Sequence, residues 1–317
     1  MVERMEELGK VLTRLGDKIS SVSGERAPAS SSEAGQGRQP RLLADRHPVR
    51  DFFIADIVDW ALKDDRHSME HPFFSLSKNP DHRIRRYEHN EIRVTIAPGA
   101  YGLATIWDKD VLIYAVSQLV EAMNQGRPVS RKVRLKAYDL LVATNRHTGG
   151  KNYERLAESF RRLAGTRIET NIATNGVRVR EGFGLVDNWK IVEKSPSNSR
   201  MVAVEVTLND WLFNAIMARE ILTLNRDYFR LDGGLERRLY ELARKHCGRQ
   251  ARWAISMEML HKKSGSTASL KEFRRKVKMI VEGDVLPDYR LRYEPEADQV
   301  LFYTKDPKKL AESLASI

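Results

Sequence analysis

Three kinds of side chain in this sequence could do chemistry: a histidine pair beside two aspartates, a few tyrosines, and lysines and arginines recurring at helical spacing. His67 and His71 stand four residues apart next to Asp64 and Asp65, a spacing that could offer a metal two ligands from one helix face. No H-E-x-x-H surrounds them, so no metal site is expected, and the two aspartates, which follow a predicted helix, read as surface charge. A strand-nicking endonuclease needs two histidines flanking a hydrophobic residue, to hold its metal, and a nucleophilic tyrosine. No H-x-H spacing occurs, and Tyr153 and Tyr240 sit on helices whose other repeating positions are apolar, which assigns them to packing. The G-x-x-x-x-G-K-[ST] phosphate loop is missing, and Gly182-Phe183-Gly184 is too short to replace it. The single cysteine, Cys247, rules out a disulfide within this sequence and reads as a small buried hydrophobe at a helix end. The sequence therefore predicts no catalytic residue, no cofactor and no metal: a binding protein, not an enzyme.

The basic residues are more informative. Lys271, Arg274, Arg275 and Lys278 fall largely on one side of a segment whose Leu270, Phe273, Val277 and Ile280 fall on the other, and Arg290 and Arg292 alternate with Tyr289, Leu291 and Tyr293 just after it. An earlier segment repeats this arrangement. Lys151, Asn152, Arg155, Ser159 and Arg162 face away from Tyr153, Leu156, Phe160 and Leu163, and Arg178 and Arg180 alternate with Val177 and Val179. Such groups neutralise phosphates and, as planar guanidinium forks or amides, read base edges. A basic helix face is by itself most often a solvated face. The formal net charge of +11, with a pI near 9.7, favours a polyanionic partner, nucleic acid ahead of an acidic membrane surface.

Those cations need rods and hairpins to hold them. In the later region, GGLERRLYELARKHCG is a helix with Leu235, Leu239, Leu242, Ala243 and His246 at helical spacing, followed by a short apolar run from Arg252 to Ile255. SMEMLHKKSG is a short helix with Ser256 as N-cap and Gly265 as stop. Ser269-Leu270-Lys271-Glu272 forms a capping box that opens the basic helix, and Gly283 closes it. Tyr289 to Tyr293 and Val300 to Tyr303 then make a hairpin. Helix, short strand, helix, turn, basic helix, hairpin is the order of a winged helix-turn-helix, which places its second helix in the major groove. The earlier region follows suit: a basic run from Arg131 to Leu135, a helix around KAYDLLVATN, the turn RHTGG, and the helix KNYERLAESFRRLAG. A hairpin is expected next, with Ile168, Thr170 and Ile172 on one face and its turn at Asn175-Gly176, the strongest short hairpin signal.

Around these units, residues 1–19 carry Met5, Leu8, Leu12, Leu15 and Ile19 in a 3-4 pattern, an amphipathic helix, and residues 20–45, rich in Ser, Gly, Ala and Pro, read as a flexible linker. DFFIADIVDWALK has Phe53, Ile57, Ala61 and Leu62 at helical spacing, although Phe52 to Ile54 could equally start a strand. Strands are expected around Phe73, Phe74 and Leu76, at Ile92 to Ile96, at Trp189 to Val192 and at Met201 to Val206. Helices are expected after Asp108, as N-cap, up to Gly126, and over NDWLFNAIMARE. The expected fold class is α+β: two winged helix-turn-helix domains in tandem, at 46–224 and 225–306, with a tail at 307–317. Two units on one chain bind jointly, so residues 226–306 alone should bind DNA more weakly than the whole. With no run of roughly 20 apolar residues and no signal-peptide core, a soluble cytoplasmic protein is expected.

RDYFRLDGGLERRLYELARKHCG followed by SLKEFRRKVK resembles the plasmid replication initiator protein A family of proteobacteria, and KNYERLAESFRRLAGTRIETNI with GFGLVDNWKI resembles that family's first domain. The likeness runs over residues 45–305. It implies a tandem winged-helix initiator that binds repeated or inverted sites at a plasmid origin, helps to melt adjacent DNA and recruits the host helicase and polymerase, without catalysis. Many such proteins also repress their own promoter, with monomers and dimers choosing different sites. The partners implied are thus double-stranded DNA at origin repeats, host helicase or initiator proteins, and a second copy. The alternative is a transcriptional repressor or partition-type regulator with the same groove-reading parts and no role in opening an origin.

Overall fold

A computed structural model of the chain describes residues 39–47, 61–176, 180–195, 198–248 and 250–315. The amphipathic helix expected at 1–19, most of the linker after it, and the run from Phe52 to Trp60 lie outside the described residues. In chain order the elements are β1 (Leu62–Asp65), α1 (Arg66–Glu70), β2 (Arg85–His89), β3 (Ile92–Ala97), α2 (Lys109–Asn124), β4 (Lys132–Lys136), α3 (Ala137–Ala143) and α4 (Gly150–Gly165). They continue with β5 (Arg167–Thr170), β6 (Glu181–Gly184), β7 (Val186–Ser195), β8 (Asn198–Leu208), α5 (Asp210–Met217) and β9 (Ile221–Leu224). After a 3-10 turn at Arg226–Arg230 come α6 (Gly234–His246), β10 (Arg252–Ser256), α7 (Met257–Ser264), α8 (Leu270–Gly283), β11 (Tyr289–Glu294), β12 (Gln299–Thr304) and α9 (Pro307–Ala315).

One arrangement occurs twice. The series α2, β4, α3, α4, β7, β8 has the same order as α6, β10, α7, α8, β11, β12, and each series closes an antiparallel three-stranded sheet in which the first strand pairs with the last: β4-β8-β7 and β10-β12-β11. The hairpin expected directly after α4 is therefore not the counterpart of β11 and β12. Its turn does form, with Asn175 at φ 50° and Gly176 at φ 74°, the left-handed pair that a two-residue hairpin turn requires. The strand before it, β5, instead joins a separate four-stranded sheet, β2-β3-β5-β6, pairing Val94 with Thr170 on one side and Arg167 with Gly184 on the other. Alternation marks a strand, but it does not say which sheet the strand enters. The equivalent hairpin in the first unit is β7–β8.

Two apolar cores result. One gathers α2, α4 and both sheets around Leu112, Leu156, Phe160, Ile168, Val204 and Trp211; the other gathers Tyr228, Leu239, Leu242, Leu260, Phe273, Val277 and Phe302. The second core also takes in Met69 and Ile113 from earlier in the chain. Local signals explain the helix boundaries. Ser256 Oγ accepts from the Met259 amide, Gly265 takes φ 70° at the end of α7, and Ser269 Oγ accepts from the Glu272 amide at 3.3 Å; each such N-cap stabilises by about 1 kcal/mol. The reciprocal half of the capping box is not made, because both Glu272 oxygens turn to Arg275 at 2.7 and 2.8 Å.

Several expectations are corrected. Leu62 and Lys63, read as the end of a helix, are strand residues that pair with Leu224 and Thr223. Phe73 and Phe74 are buried but form no strand; only Ser75 bridges Thr105. Asp108 precedes α2 without capping it, its carboxylate being bonded to Thr105 and Arg162. Asp64 and Asp65 are not surface charge: they are 2% and 3% exposed. Asp65 N-caps α1, accepting from His67 and Ser68, and Asp64 lies 2.6 Å from the buried Lys109 ammonium. Residues 39–45, expected as linker, lie docked across both units.

A dry ionic joint fastens the first half to α6. Lys109 Nζ donates to Glu241 at 2.9 Å, Arg237 Nη1 donates to Asp110 at 2.6 Å, and Arg238 donates to Glu241 at 3.0 Å, all on side chains no more than 3% exposed. Arg238 also donates to the carbonyls of Ser68, Met69, Glu70 and Lys263 at 2.8 to 3.1 Å. None of this was visible as a pattern in the sequence, since Arg237, Arg238 and Glu241 sit where a solvated helix face would carry the same residue types.

Candidate nucleic-acid interface

In α8, Phe273, Val277 and Ile280 are buried in the second core, which turns Lys271, Arg275, Lys276 and Lys278 outward. Lys271 has no hydrogen bond or ion pair with another described residue. Lys278 Nζ stands 4.6 Å over the Tyr293 ring of β11, which steers the ammonium toward the hairpin without neutralising it. Lys276, overlooked in the sequence, adds a cation at the same level, weakly paired with Glu272 at 3.8 Å. Arg274 is not free to reach outward: its guanidinium forks onto Asp298 at 2.9 and 2.7 Å, and that grip raises its pKa above the ordinary arginine value. Asp298 sits at the β11–β12 turn with φ 43°, so Arg274 ties helix to hairpin. On β11, Arg290 and Arg292 both point outward; Arg290 reaches back to Asp284 at 3.0 Å, while Arg292 has no such tie.

The helix α4 differs. Leu156, Phe160 and Leu163 are fully buried, and Lys151 and Arg155 are exposed as expected. Asn152 is half-buried. Two expected outward residues are not outward. Ser159 is 2% exposed and donates back to the Arg155 carbonyl at 3.0 Å. Arg162 forks onto Asp108 at 2.8 Å through both Nε and Nη2, and that hydrogen-bonded partner raises its pKa. The phase error is one position: the exposed stripe is Lys151, Glu154, Arg155, Glu158 and Arg161. Arg161, missed earlier, lies 5.5 Å over the ring of Tyr101, which is 53% exposed. Alternation of polar types along a mixed helix hides such a shift; counting back from Phe160 and Leu163 would have found it.

Of the arginines expected beyond α4, Arg178 lies outside the described residues, and Arg180 pairs with Glu169 of β5 at 2.6 Å, on the four-stranded sheet. The hairpin β7–β8 instead offers exposed Lys190 and Lys194. Beside it, β4 turns Lys132, Arg134 and Lys136 to the same outer face, where Glu205 is the common partner of Lys132 and Arg134.

The groups that could have been catalytic are occupied otherwise. His67 bonds Glu220 at 3.0 Å; burial lowers the pKa of His71 to about 3. Among the described residues no cluster of three His, Cys, Asp or Glu side chains could hold a metal. Tyr240 OH donates to Asp288 at 3.0 Å inside the second core, and burial raises the Cys247 thiol to about 12. No helix among the described residues is long and apolar enough to cross a membrane.

The sequence profile of the replication initiator protein A family matches residues 63–291. A putative replication protein of Wigglesworthia glossinidia brevipalpis is 40% identical over 264 residues, which cover 82% of this chain and 96% of that protein. Among solved structures, the crystal structure of domains 2 and 3 of RctB superposes with a TM-score of 0.54 over 74% of this chain and 95% of that one, at 12% identity, a likeness of fold alone.

Proposed function

Since this chain belongs to the replication initiator protein A family, we propose that it acts at a plasmid origin by binding repeated duplex sites sequence-specifically and gathering host helicase or initiator proteins there. The observation that carries this is the repeated topology: twice, a helix with a buried apolar stripe and cations outside lies between a short helix and a hairpin sheet. We assign each repeat as a winged helix-turn-helix, with α4 and α8 entering successive major-groove segments and β7–β8 and β11–β12 as wings. In α8, Lys271, Arg275, Lys276 and Lys278 meet the duplex, and Arg292 holds a phosphate; in α4, Lys151, Asn152, Arg155 and Arg161 do so. Arg274 and Arg162 serve as braces, held by Asp298 and Asp108.

In this proposal no covalent bond is made or broken, so supercoiled origin DNA incubated with the protein and a divalent metal stays unnicked. The deciding experiment is a footprint of the full chain on its own plasmid, followed by a replication test of a plasmid that carries only this coding sequence and the protected repeats. Protected direct or inverted repeats and autonomous replication are expected. Protection without replication would reduce the protein to a repressor or partition factor.

A further inference from the structure

Residues 39–47 contribute nothing to either helix-turn-helix, yet they are anchored at both. Pro40 abuts Gly283, the last residue of α8, closely enough that a Cβ on Gly283 would meet it at 3.6 Å. Leu42 bridges Leu231, and Leu43 and Arg230 exchange two hydrogen bonds of 2.7 Å. The segment then reaches the turn between α3 and α4. Asn145, at φ 55° in that turn, spends its whole side-chain amide on the strap: Nδ2 donates to the Ala44 carbonyl at 3.1 Å and Oδ1 accepts from the Arg46 amide at 2.8 Å. The Arg46 guanidinium donates to the Asn145 carbonyl at 2.6 Å and to His147 at 3.0 Å. The strap thus runs from the C-terminal end of one reading helix to the turn that opens the other.

Six peptide steps separate Pro40 from Arg46, so the strap's two anchoring points lie no more than about 22 Å apart. Two helices in successive major-groove segments of one duplex have a minor groove between them, roughly 6 Å wide in B-form DNA. On the DNA side of the protein, a chain that links those two regions passes that groove. At this point the strap carries Arg41, which is exposed and has no hydrogen bond or ion pair with another described residue. A weakly hydrated, planar cation is the side chain that a narrow A·T minor groove attracts, through its enhanced negative potential. We propose that the strap is a third DNA-reading element, with Arg41 entering the minor groove of an A·T-rich spacer between the two major-groove sites. This rests on the duplex-binding function proposed above.

The test uses the full chain and duplexes that it selects from a random library. The spacer between the two protected major-groove segments is then made all A·T, all G·C, or all inosine·C. Inosine·C keeps the major-groove pattern of G·C but lacks the amino group that G places in the minor groove. The wild type should bind the A·T and inosine·C spacers alike and the G·C spacer about tenfold more weakly. Arg41→Ala, whose thermal melting should be unchanged because Arg41 has no hydrogen bond or ion pair among the described residues, should bind all three alike and at about the G·C level. A wild type indifferent to the spacer, or an Arg41→Ala protein that keeps the wild-type preference, would overturn the inference and leave the strap a fastener. Selection that enriches no duplex at all would strike the DNA-binding proposal itself, and this inference with it.

Discussion

The two repeated units share a topology and differ in what their outer helices present. The exposed stripe of α4 alternates sign, Lys151, Glu154, Arg155, Glu158, Arg161, whereas that of α8 holds Lys271, Arg275, Lys276 and Lys278 against Glu272 and Glu282. Mixed charge suits discrimination, because a carboxylate rejects most phosphate and base-edge positions and tolerates a cytosine amino group; an excess of cations suits affinity and fast encounter. The braces differ in the same sense. Asp108, which holds Arg162, is 1% exposed, while the Asp298 side chain that holds Arg274 is 42% exposed. Within the proposed function, we assign the first unit to selectivity and the second to cationic anchoring.

If the halves work as one body, unfastening them should have the largest effect. Lys109→Met would leave Asp64 buried without its cation and Glu241 with Arg238 as its remaining cation, and should cost about 3–5 kcal/mol in urea unfolding. A loss under about 1 kcal/mol would mean that water reaches the joint. For the same reason residues 226–306 alone, which the sequence suggested would still bind DNA, should show no cooperative melting: Arg237 and Arg238 would lose Asp110 and three of the carbonyls that now hold them.

The braces come next. Asp108→Ala leaves the buried Thr105 amide without its acceptor and the half-buried Arg162 guanidinium with only Glu158, and should cost about 2–3 kcal/mol, against less than about 1 kcal/mol for Asp298→Ala at the more open turn. Equal losses in denaturant unfolding would erase the contrast between a rigid and a yielding unit. A smaller effect, about tenfold in DNA affinity at moderate salt, is expected for Lys276→Ala with Lys278→Ala on α8, and only about threefold for Arg155→Ala with Arg161→Ala on α4. The salt slope should flatten for the α8 pair. Reversed magnitudes would exchange the roles assigned to the two units.

How much of this was legible in the sequence follows from which forces are local. The helices around Leu239, Leu260, Phe273 and Phe160 and the caps at Ser256 and Ser269 were legible, because periodicity and capping act within a few residues. The hairpin after α4 was found but given to the wrong sheet, because Val94 and Thr170 meet across 76 residues and nothing local announces it. Arg162, Arg274 and Asp64 were misjudged for one reason: a charged residue reads as solvated until its partner, set by tertiary packing, is known. The strap fell to a similar error, since Pro40 to Asp45 was grouped with the Ser- and Gly-rich run before it, while the segment owes its order to Asn145, a residue 99 positions from Arg46.

The subtlest check concerns how dry the joint is. His71 follows α1, 7% exposed; burial is the main cause of its depressed pKa, with Arg238 and Lys263 adding to it and Glu70 opposing. An unfolded histidine takes up a proton as pH falls through about 6.5, but this one, in the fold, does so only near 3. The stability that goes with neutral His71 is therefore complete above the unfolded value and lost progressively as pH falls through that window. Asp64 leans the other way, because burial pushes its carboxyl up to about 7 against the pull of Lys109, and the folded state then gains a proton first. Comparing the wild type with His71→Gln at each pH removes that opposing contribution. Between pH 6 and 5 the wild type should lose about 1 kcal/mol more than the variant in urea unfolding. Parallel curves would show that His71 takes up its proton in the fold, so that the contact between α1 and the second unit is wet, and the two units would then be joined more loosely than the buried ion pairs imply.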